Sequence, residues 1–148
     1  MTDAIKVDGT YSNGSSFLVG QAKIKSIAED HDICILEFPH HGLTPLILAA
    51  NTDYVETEDR ITVIGAPGTF FPVRREGHII AVKAGSDLGS MKDLIFMSID
   101  IQPGSSGSPV IWNGKVIGVL VILVGRISNA ALAENVSNLH ELLNNGDQ

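Results

Sequence analysis

The residues best suited to covalent chemistry form one short stretch, Gly104-Ser105-Ser106-Gly107-Ser108-Pro109-Val110. A glycine directly follows Ser106 and another lies two residues before it, and glycine lets a backbone bend tightly. Such a bend can aim backbone N–H groups at an oxygen that gains negative charge during a reaction. Ser106 is therefore a candidate nucleophile, and the alternative is an ordinary Gly/Ser-rich turn between two strands.

A serine hydroxyl needs help before it can attack an amide at neutral pH, because it is only weakly acidic. Three groups supply that help: a base that takes the hydroxyl proton, an anion that orients the base, and donors that stabilise the tetrahedral oxyanion. The rest of the sequence can be searched for each of these groups.

A β-hairpin is expected to hold the Ser106 loop in place. Asn113-Gly114 suits a two-residue type I′ turn, so residues 110–112 and 115–120 should pair as antiparallel strands. The apolar run at 116–124 is too short to span a bilayer and is typical of a buried strand.

The Ser106 stretch resembles the nucleophile loop of trypsin-like (chymotrypsin-fold) serine proteases, whose pattern is G-x-S-G-G/S-P. It differs from the G-x-S-x-G elbow of α/β-hydrolases, because here the glycine follows the serine directly. The resemblance implies that Ser106 is the nucleophile and that the backbone N–H groups of Gly104 and Ser106 form the oxyanion hole.

A second match surrounds Asp32. The segment His31-Asp32-Ile33-Cys34-Ile35-Leu36 resembles the family's D-I/L-A-L/V-L/I pattern, in which the aspartate orients the catalytic histidine. The resemblance implies this role for Asp32, and the order of Asp before Ser agrees with the family. The alternative is an aspartate that closes a turn ahead of a strand.

Further segments resemble the disulfide-free, HtrA-like members of the family. Residues 57–68 are similar to the start of their second barrel, residues 75–80 to a following strand, and residues 132–136 to their closing segment. The similarity covers the chain from about residue 30 to its end, whereas residues 1–29 match only weakly.

The family's general base is missing from these matches. In the family the catalytic histidine lies upstream of the aspartate in a T/S-A-x-H segment, and this sequence contains no such segment. Of the five histidines only His31 precedes Asp32, and adjacent residues of an extended chain point in opposite directions. We expect ordinary surface or partly buried histidines at His31, His40, His41, His78 and His140.

The pattern of short strands predicts an all-β protein: a trypsin-like double β-barrel with an incomplete first barrel, a complete second barrel and a C-terminal helix. The predicted divisions are a partial N-terminal barrel at 1–38, a linker at 39–55, and a C-terminal barrel with its helix at 56–148. Only about three strands precede the linker, where the resembled family has six, so unpaired strand edges are expected there. Asn135 is the expected cap of the helix.

Composition excludes several classes of function. The 148 residues carry a net charge of −7, which argues against nucleic acid or an anionic membrane as the main partner. No metal-ligand spacing or phosphate-binding loop is present, so no cofactor or metal is expected. The one cysteine forbids an internal disulfide, which favours a bacterial, viral or intracellular relative. No signal peptide is visible, and we expect a cytoplasmic or virion-associated protein.

Asp100 lies six residues before Ser106. The resemblance to trypsin implies that a residue at this spacing sits at the base of the substrate pocket and binds Arg or Lys. The alternative is an aspartate that opens a loop and binds nearby backbone.

The sequence thus predicts a trypsin-like serine endopeptidase domain that hydrolyses protein or peptide substrates through Ser106, with a general base not present in this chain. An upstream segment or a second chain would complete the first barrel and supply the histidine. The alternative is a catalytically inactive module with the same fold, acting as a structural, assembly or binding subunit, for instance of a virus or phage.

Overall fold

The computed structural model describes residues 5–10, 15–39, 42–65, 72–84, 93–101, 104–123 and 129–145. Part of the segment 57–68 that resembles the start of the second barrel, and the pair His40-His41, lie outside these residues. Within the described part the fold is the predicted one, with one open sheet, one closed barrel and a C-terminal helix.

The N-terminal unit is an antiparallel sheet of three strands in the order β1-β2-β3. The strands are β1 (Ile5–Thr10), β2 (Ser16–Ile27) and β3 (Cys34–Glu37). The pairing of β1 with β2 contains a β-bulge opposite Val7 and Asp8, where Gly20 has a φ of 148°.

The C-terminal unit is a closed six-stranded barrel in the order β4-β5-β6-β9-β8-β7. Closure leaves no free strand edge in this unit. Its strands are β4 (Arg60–Gly65), β5 (Val73–Ala84), β6 (Leu94–Ser98), β7 (Pro109–Trp112), β8 (Lys115–Leu123) and β9 (Ala130–Asn135).

The barrel interior is built from alternating apolar residues. On β4, Ile61 and Val63 point inward and are buried, whereas Arg60 is exposed. Strand β9 is different, because all six of its residues are buried, including Glu134. The main members of the core are Ile61, Val63, Ile79, Ile95, Met97, Val110, Ile117, Leu120 and Val136.

Two local predictions are confirmed. Asn113 and Gly114 have φ angles of 51° and 78°, as a type I′ turn requires, and they join β7 to β8 with Trp112 opposite Lys115. The final helix, α1 (Val136–Asn145), begins after Asn135, whose side-chain oxygen accepts a hydrogen bond from the Ser137 N–H at 3.1 Å.

One face of the N-terminal sheet is apolar and partly exposed. Ile24 pairs with Leu36, and Ile27 with Cys34, so these four side chains share one face. The exposed fractions are 40% for Ile24, 65% for Ile27 and 37% for Leu36. An apolar face of this kind is usually covered by another element.

The predicted division points remain predictions. The open sheet ends at Glu37 and the closed barrel begins at Arg60, so both units lie on the expected sides of the proposed linker. Part of that linker is bound to the barrel, since Ala49 N–H donates to Val116 O and Val116 N–H donates to Ile47 O, each at 2.8 Å.

Candidate active site

Ser106 lies in the loop that enters β7, and its side chain is exposed at the surface of the barrel. Its hydroxyl donates a hydrogen bond of 3.2 Å to the backbone carbonyl of Val121 on β8. Gly104 and Gly107 flank it with φ angles of 93° and 91°, a backbone region that favours glycine. The predicted tight bend around Ser106 is therefore present.

Backbone hydrogen bonds attach this loop to β8. Gly107 N–H donates to Leu120 O at 2.7 Å, and Leu120 N–H donates to Ser108 O at 2.9 Å. A third bond, from Ser108 N–H to Ser105 O at 3.1 Å, closes a turn around Ser106. These bonds fix the backbone on both sides of the nucleophile candidate.

Two serines near Ser106 have buried side chains, whereas Ser106 itself is exposed. Ser105 and Ser108 are buried, and both lie close to the end of β4. A Cβ atom added at Gly65 would come within 2.6 Å of Ser108 Oγ and 3.5 Å of Ser105 Oγ. Because Gly65 has no side chain, the end of β4 can lie directly against Ser105 and Ser108 and support the Ser106 loop.

Gly104 and Ser106 also supply the two predicted oxyanion donors. Within the described part of the chain, neither of their N–H groups donates a backbone hydrogen bond. An N–H group without a protein acceptor can donate to an oxygen that develops charge beside Ser106 Oγ. The role remains a prediction, and this geometry is compatible with it.

Asp32 lies in the turn between β2 and β3, with an exposed side chain. Its backbone N–H donates to Glu134 Oε1 at 3.1 Å. Among the described residues, no hydrogen bond or ion pair joins the Asp32 carboxylate to Ser106. In the predicted triad these two groups would be linked through a histidine rather than directly.

The three described histidines contact other groups. Nδ1 of His31 lies 3.1 Å from Glu134 Oε2, Nε2 of His78 lies 3.8 Å from Glu58 Oε2, and Nε2 of His140 lies 2.8 Å from Ala49 O. None of these three rings forms a described contact with Ser106. The part of the chain that the structure describes therefore shows no base bound to the nucleophile candidate.

Asp100 is exposed on the segment between β6 and the Ser106 loop. Residues 102 and 103 lie outside the described part, and the carboxylate forms no hydrogen bond or ion pair with the residues that are described. Its proposed role in a substrate pocket stays a prediction.

Sequence reasoning assigned no individual role to Glu134, which is 1% exposed on β9. Its carboxylate binds the Asp32 N–H and accepts a hydrogen bond of 2.9 Å from Asn138 Nδ2. The only signal in the sequence is a carboxylate at the end of an alanine-rich apolar run, and that signal does not name a partner 102 residues away.

Two further features of the described residues bear on function. They contain no group of three or more His, Cys, Asp or Glu side chains that could hold a metal ion. In the same residues no helix has the length and apolar character needed to cross a membrane.

Comparison with known proteins agrees with this architecture. Residues 5–119 match the family model of the trypsin-like peptidase domain, and that span includes both Asp32 and Ser106. The chain therefore belongs to the trypsin-like peptidase domain family.

Two sequence relatives come from Arabidopsis thaliana. "Putative protease Do-like 12, mitochondrial" is 34% identical over 113 residues, which are 71% of this chain and 22% of that protein. "Putative protease Do-like 3, mitochondrial" is 32% identical over 113 residues, 67% of this chain and 18% of that protein. The chain thus spans about a fifth of the length of these relatives.

Solved structures share the fold. The HtrA-type protease AlgW bound to a decapeptide has a TM-score of 0.77 at 19% identity, covering 93% of this chain and 43% of that one. The Rv3671c protease of M. tuberculosis in its active form has a TM-score of 0.72 at 24% identity, covering 84% and 57%. Deg5 has a TM-score of 0.73 at 21% identity, covering 92% and 64%.

Proposed function

We propose that this chain carries the nucleophile of a serine endopeptidase site, with Ser106 attacking the carbonyl carbon of a peptide bond. The observation that carries the proposal is the loop conformation, in which Gly104 and Gly107 take positive φ angles on either side of an exposed Ser106. Membership of the trypsin-like peptidase domain family supports the same chemistry.

The attack turns the carbonyl oxygen into an oxyanion that lies next to the N–H groups of Gly104 and Ser106. Each such donor typically stabilises the transition state by about 3 kcal/mol. The hydroxyl proton passes to a base and then to the leaving amine, which leaves an acyl group on Ser106 Oγ. Water then releases this acyl group by the reverse sequence of proton transfers.

We further propose that the base is a histidine supplied by a segment or a second chain that completes the N-terminal sheet. The open three-stranded sheet has edges to which strands can be added, and the exposed apolar side chains of Ile24, Ile27 and Leu36 would pack against the added element. A histidine carried on those strands would lie above the β2–β3 turn, where the Asp32 carboxylate could orient it. Without this element, Ser106 has no base and peptide hydrolysis should be negligible.

Proteins or peptides are the proposed substrates. An acidic group at the base of the pocket would favour cleavage after Arg or Lys, and Asp100 is the candidate for that group. Loss of this preference on Asp100→Asn, with hydrolysis retained, would support the assignment. An unchanged preference for basic residues would reject it.

The second candidate function is a non-catalytic binding or assembly module. It is favoured by the contacts of His31 and His140, which lie against Glu134 and the Ala49 carbonyl and form no described contact with Ser106. The same open sheet would then bind a partner protein with no histidine delivered to Asp32.

Hydrolysis of fluorescently labelled casein separates the two candidates. The endopeptidase proposal predicts that natively purified protein releases peptides, that Ser106→Ala abolishes release, and that the 148-residue chain alone is inactive. Folded native protein whose activity is unchanged by Ser106→Ala, or that has none, would favour the binding module. Substantial hydrolysis by the chain alone would overturn the proposed external base.

A further inference from the structure

We propose that Glu134 is a positioning residue that fixes the Asp32 turn to the barrel that carries Ser106. This inference rests on the proposed function, in which the Asp32 carboxylate orients the base. Glu134 belongs to β9 of the closed barrel, whereas Asp32 belongs to the open sheet, so their hydrogen bond crosses between the two units.

Glu134 is a buried carboxylate, so the stability of this region depends on the hydrogen bonds that it accepts. A carboxylate that is 1% exposed is costly unless hydrogen bonds replace the water it has lost. Oε1 accepts the Asp32 N–H at 3.1 Å, and Oε2 accepts Asn138 Nδ2 at 2.9 Å. One carboxylate therefore ties together β9, the helix α1 and the β2–β3 turn.

His31 adds a second contact from the same turn. Its Nδ1 lies 3.1 Å from Glu134 Oε2, although the alignment is not that of a hydrogen bond. The ring thus lies against the buried carboxylate and is itself largely buried. Two adjacent residues, His31 and Asp32, therefore attach the turn to Glu134.

The turn is closed internally by Ala28 N–H donating to Ile33 O at 3.1 Å. A cavity of about 370 Å³ separates it from α1, so the turn does not pack flush on the helix. Its lining includes Ile27 and His31 on the side of the turn, and Asn138 and Leu142 on α1.

It follows that the position of Asp32 relative to Ser106 is set largely through Glu134. The nucleophile loop is bonded to β8, and β8 pairs with β9 through Val119 opposite Glu134. The path from Ser106 to Asp32 therefore runs through one strand pair and one buried side chain. Small errors in the placement of catalytic groups can cost about a hundredfold in rate.

The test compares Glu134→Ala, Glu134→Gln and Asn135→Ala. The glutamine keeps an oxygen that can accept the Asp32 N–H. Asn135 is the matched control, because it is the next residue, is 2% exposed, and binds Thr52 Oγ1 instead of the turn. All variants are made in the full chain.

The first readout is amide hydrogen exchange at Asp32, followed by NMR and compared with exchange in the barrel core. We expect Glu134→Ala to speed exchange at Asp32 by at least about tenfold beyond any change in the core. Glu134→Gln should restore protection, and Asn135→Ala should alter Asp32 no more than the core. Equal exchange at Asp32 in Glu134→Ala and Asn135→Ala would overturn the inference, and where Glu134→Ala does not fold, Glu134→Asp gives the same comparison.

The second readout is the rate at which Ser106 reacts with a fluorophosphonate in the natively assembled protein. Glu134→Ala should lower this rate by at least about tenfold, with Glu134→Gln and Asn135→Ala within about threefold of the parent. An unchanged rate in Glu134→Ala, despite a released turn, would overturn the positioning role. If the parent protein does not react, the proposed function fails, and the exchange data alone decide whether Glu134 anchors the turn.

Discussion

The hydroxyl of Ser106 donates a hydrogen bond to the backbone carbonyl of Val121, 3.2 Å away on the neighbouring strand β8. The bond holds Oγ at the surface of the barrel, in the loop that carries the two N–H groups proposed to bind the oxyanion. During attack the proton must move to a base instead, so this bond describes a resting orientation of the nucleophile.

Removing that hydroxyl should leave the fold intact. We expect Ser106→Ala to change the free energy of unfolding by less than about 1 kcal/mol, because an exposed hydrogen bond contributes little net stability. Urea denaturation measures the difference. A loss above about 2 kcal/mol would make the hydroxyl a structural part of the loop.

The backbone at Gly107 should matter more for reactivity than for stability. Its φ of 91° is strained for any other residue, although no atom lies within 4 Å of an added Cβ. Gly107→Ala should cost about 1–2 kcal/mol in stability, and relaxation of the loop should lower probe labelling at Ser106.

Gly42 offers a matched control, with a φ of 70° and equally open space around an added Cβ. Gly42→Ala should cost similar stability and leave labelling unchanged. Equal loss of labelling in both variants would show that general destabilisation, and not the Ser106 loop, is responsible.

The contact between β4 and the Ser106 loop can be measured as a coupling energy between Gly65 and Ser108. Gly65→Ala places a methyl group within 2.6 Å of Ser108 Oγ, so we expect it to destabilise the protein by about 1–3 kcal/mol. Ser108→Ala removes that oxygen and should recover at least about 1 kcal/mol of the loss in a double-mutant cycle. Strictly additive effects would show that the two residues do not press on each other.

The open sheet gives a test of the proposed completing element. Ile27 and Leu18 are almost equally exposed, at 65% and 61%, but the strand pairing places them on opposite faces of the sheet. Ile27→Asp should abolish labelling of the natively assembled protein, whereas Leu18→Asp should not. In the isolated chain each change should alter stability by less than about 1 kcal/mol.

Cys34 reports on the same face, because it pairs with Ile27 and is the chain's one cysteine. Its thiol should react readily with a maleimide in the isolated chain and at least about tenfold more slowly in the assembled protein, since covering strands would exclude the reagent. Equal reactivity in both forms would contradict an added layer over this face.

Local chemistry made much of this fold predictable from sequence. Short-range rules are enough to explain the turn at Asn113-Gly114, the helix cap at Asn135 and the alternation at Ile61 and Val63, and the structure contains all three. Strand β9 escaped a separate prediction because all six of its residues are buried, so it shows no alternation.

Long-range relationships were harder to foresee. The pairing of β1 with β2 shifts register at a bulge next to Gly20, which apolar periodicity does not reveal. The bond from Asp32 to Glu134 spans 102 positions and forms only when the barrel brings β9 beside the β2–β3 turn. The individual residues of the nucleophile loop could be named from their pattern, but the carboxylate that anchors Asp32 could not.

The central claim, that Ser106 is an activated nucleophile, is tested most directly by reaction of the natively purified protein with a fluorophosphonate probe. These reagents modify a serine that a base has activated, and mass spectrometry identifies the modified residue. We expect a single adduct on Ser106 in the assembled protein, lost in Ser106→Ala and absent from the isolated 148-residue chain. Folded, assembled protein that forms no adduct at Ser106 would contradict it.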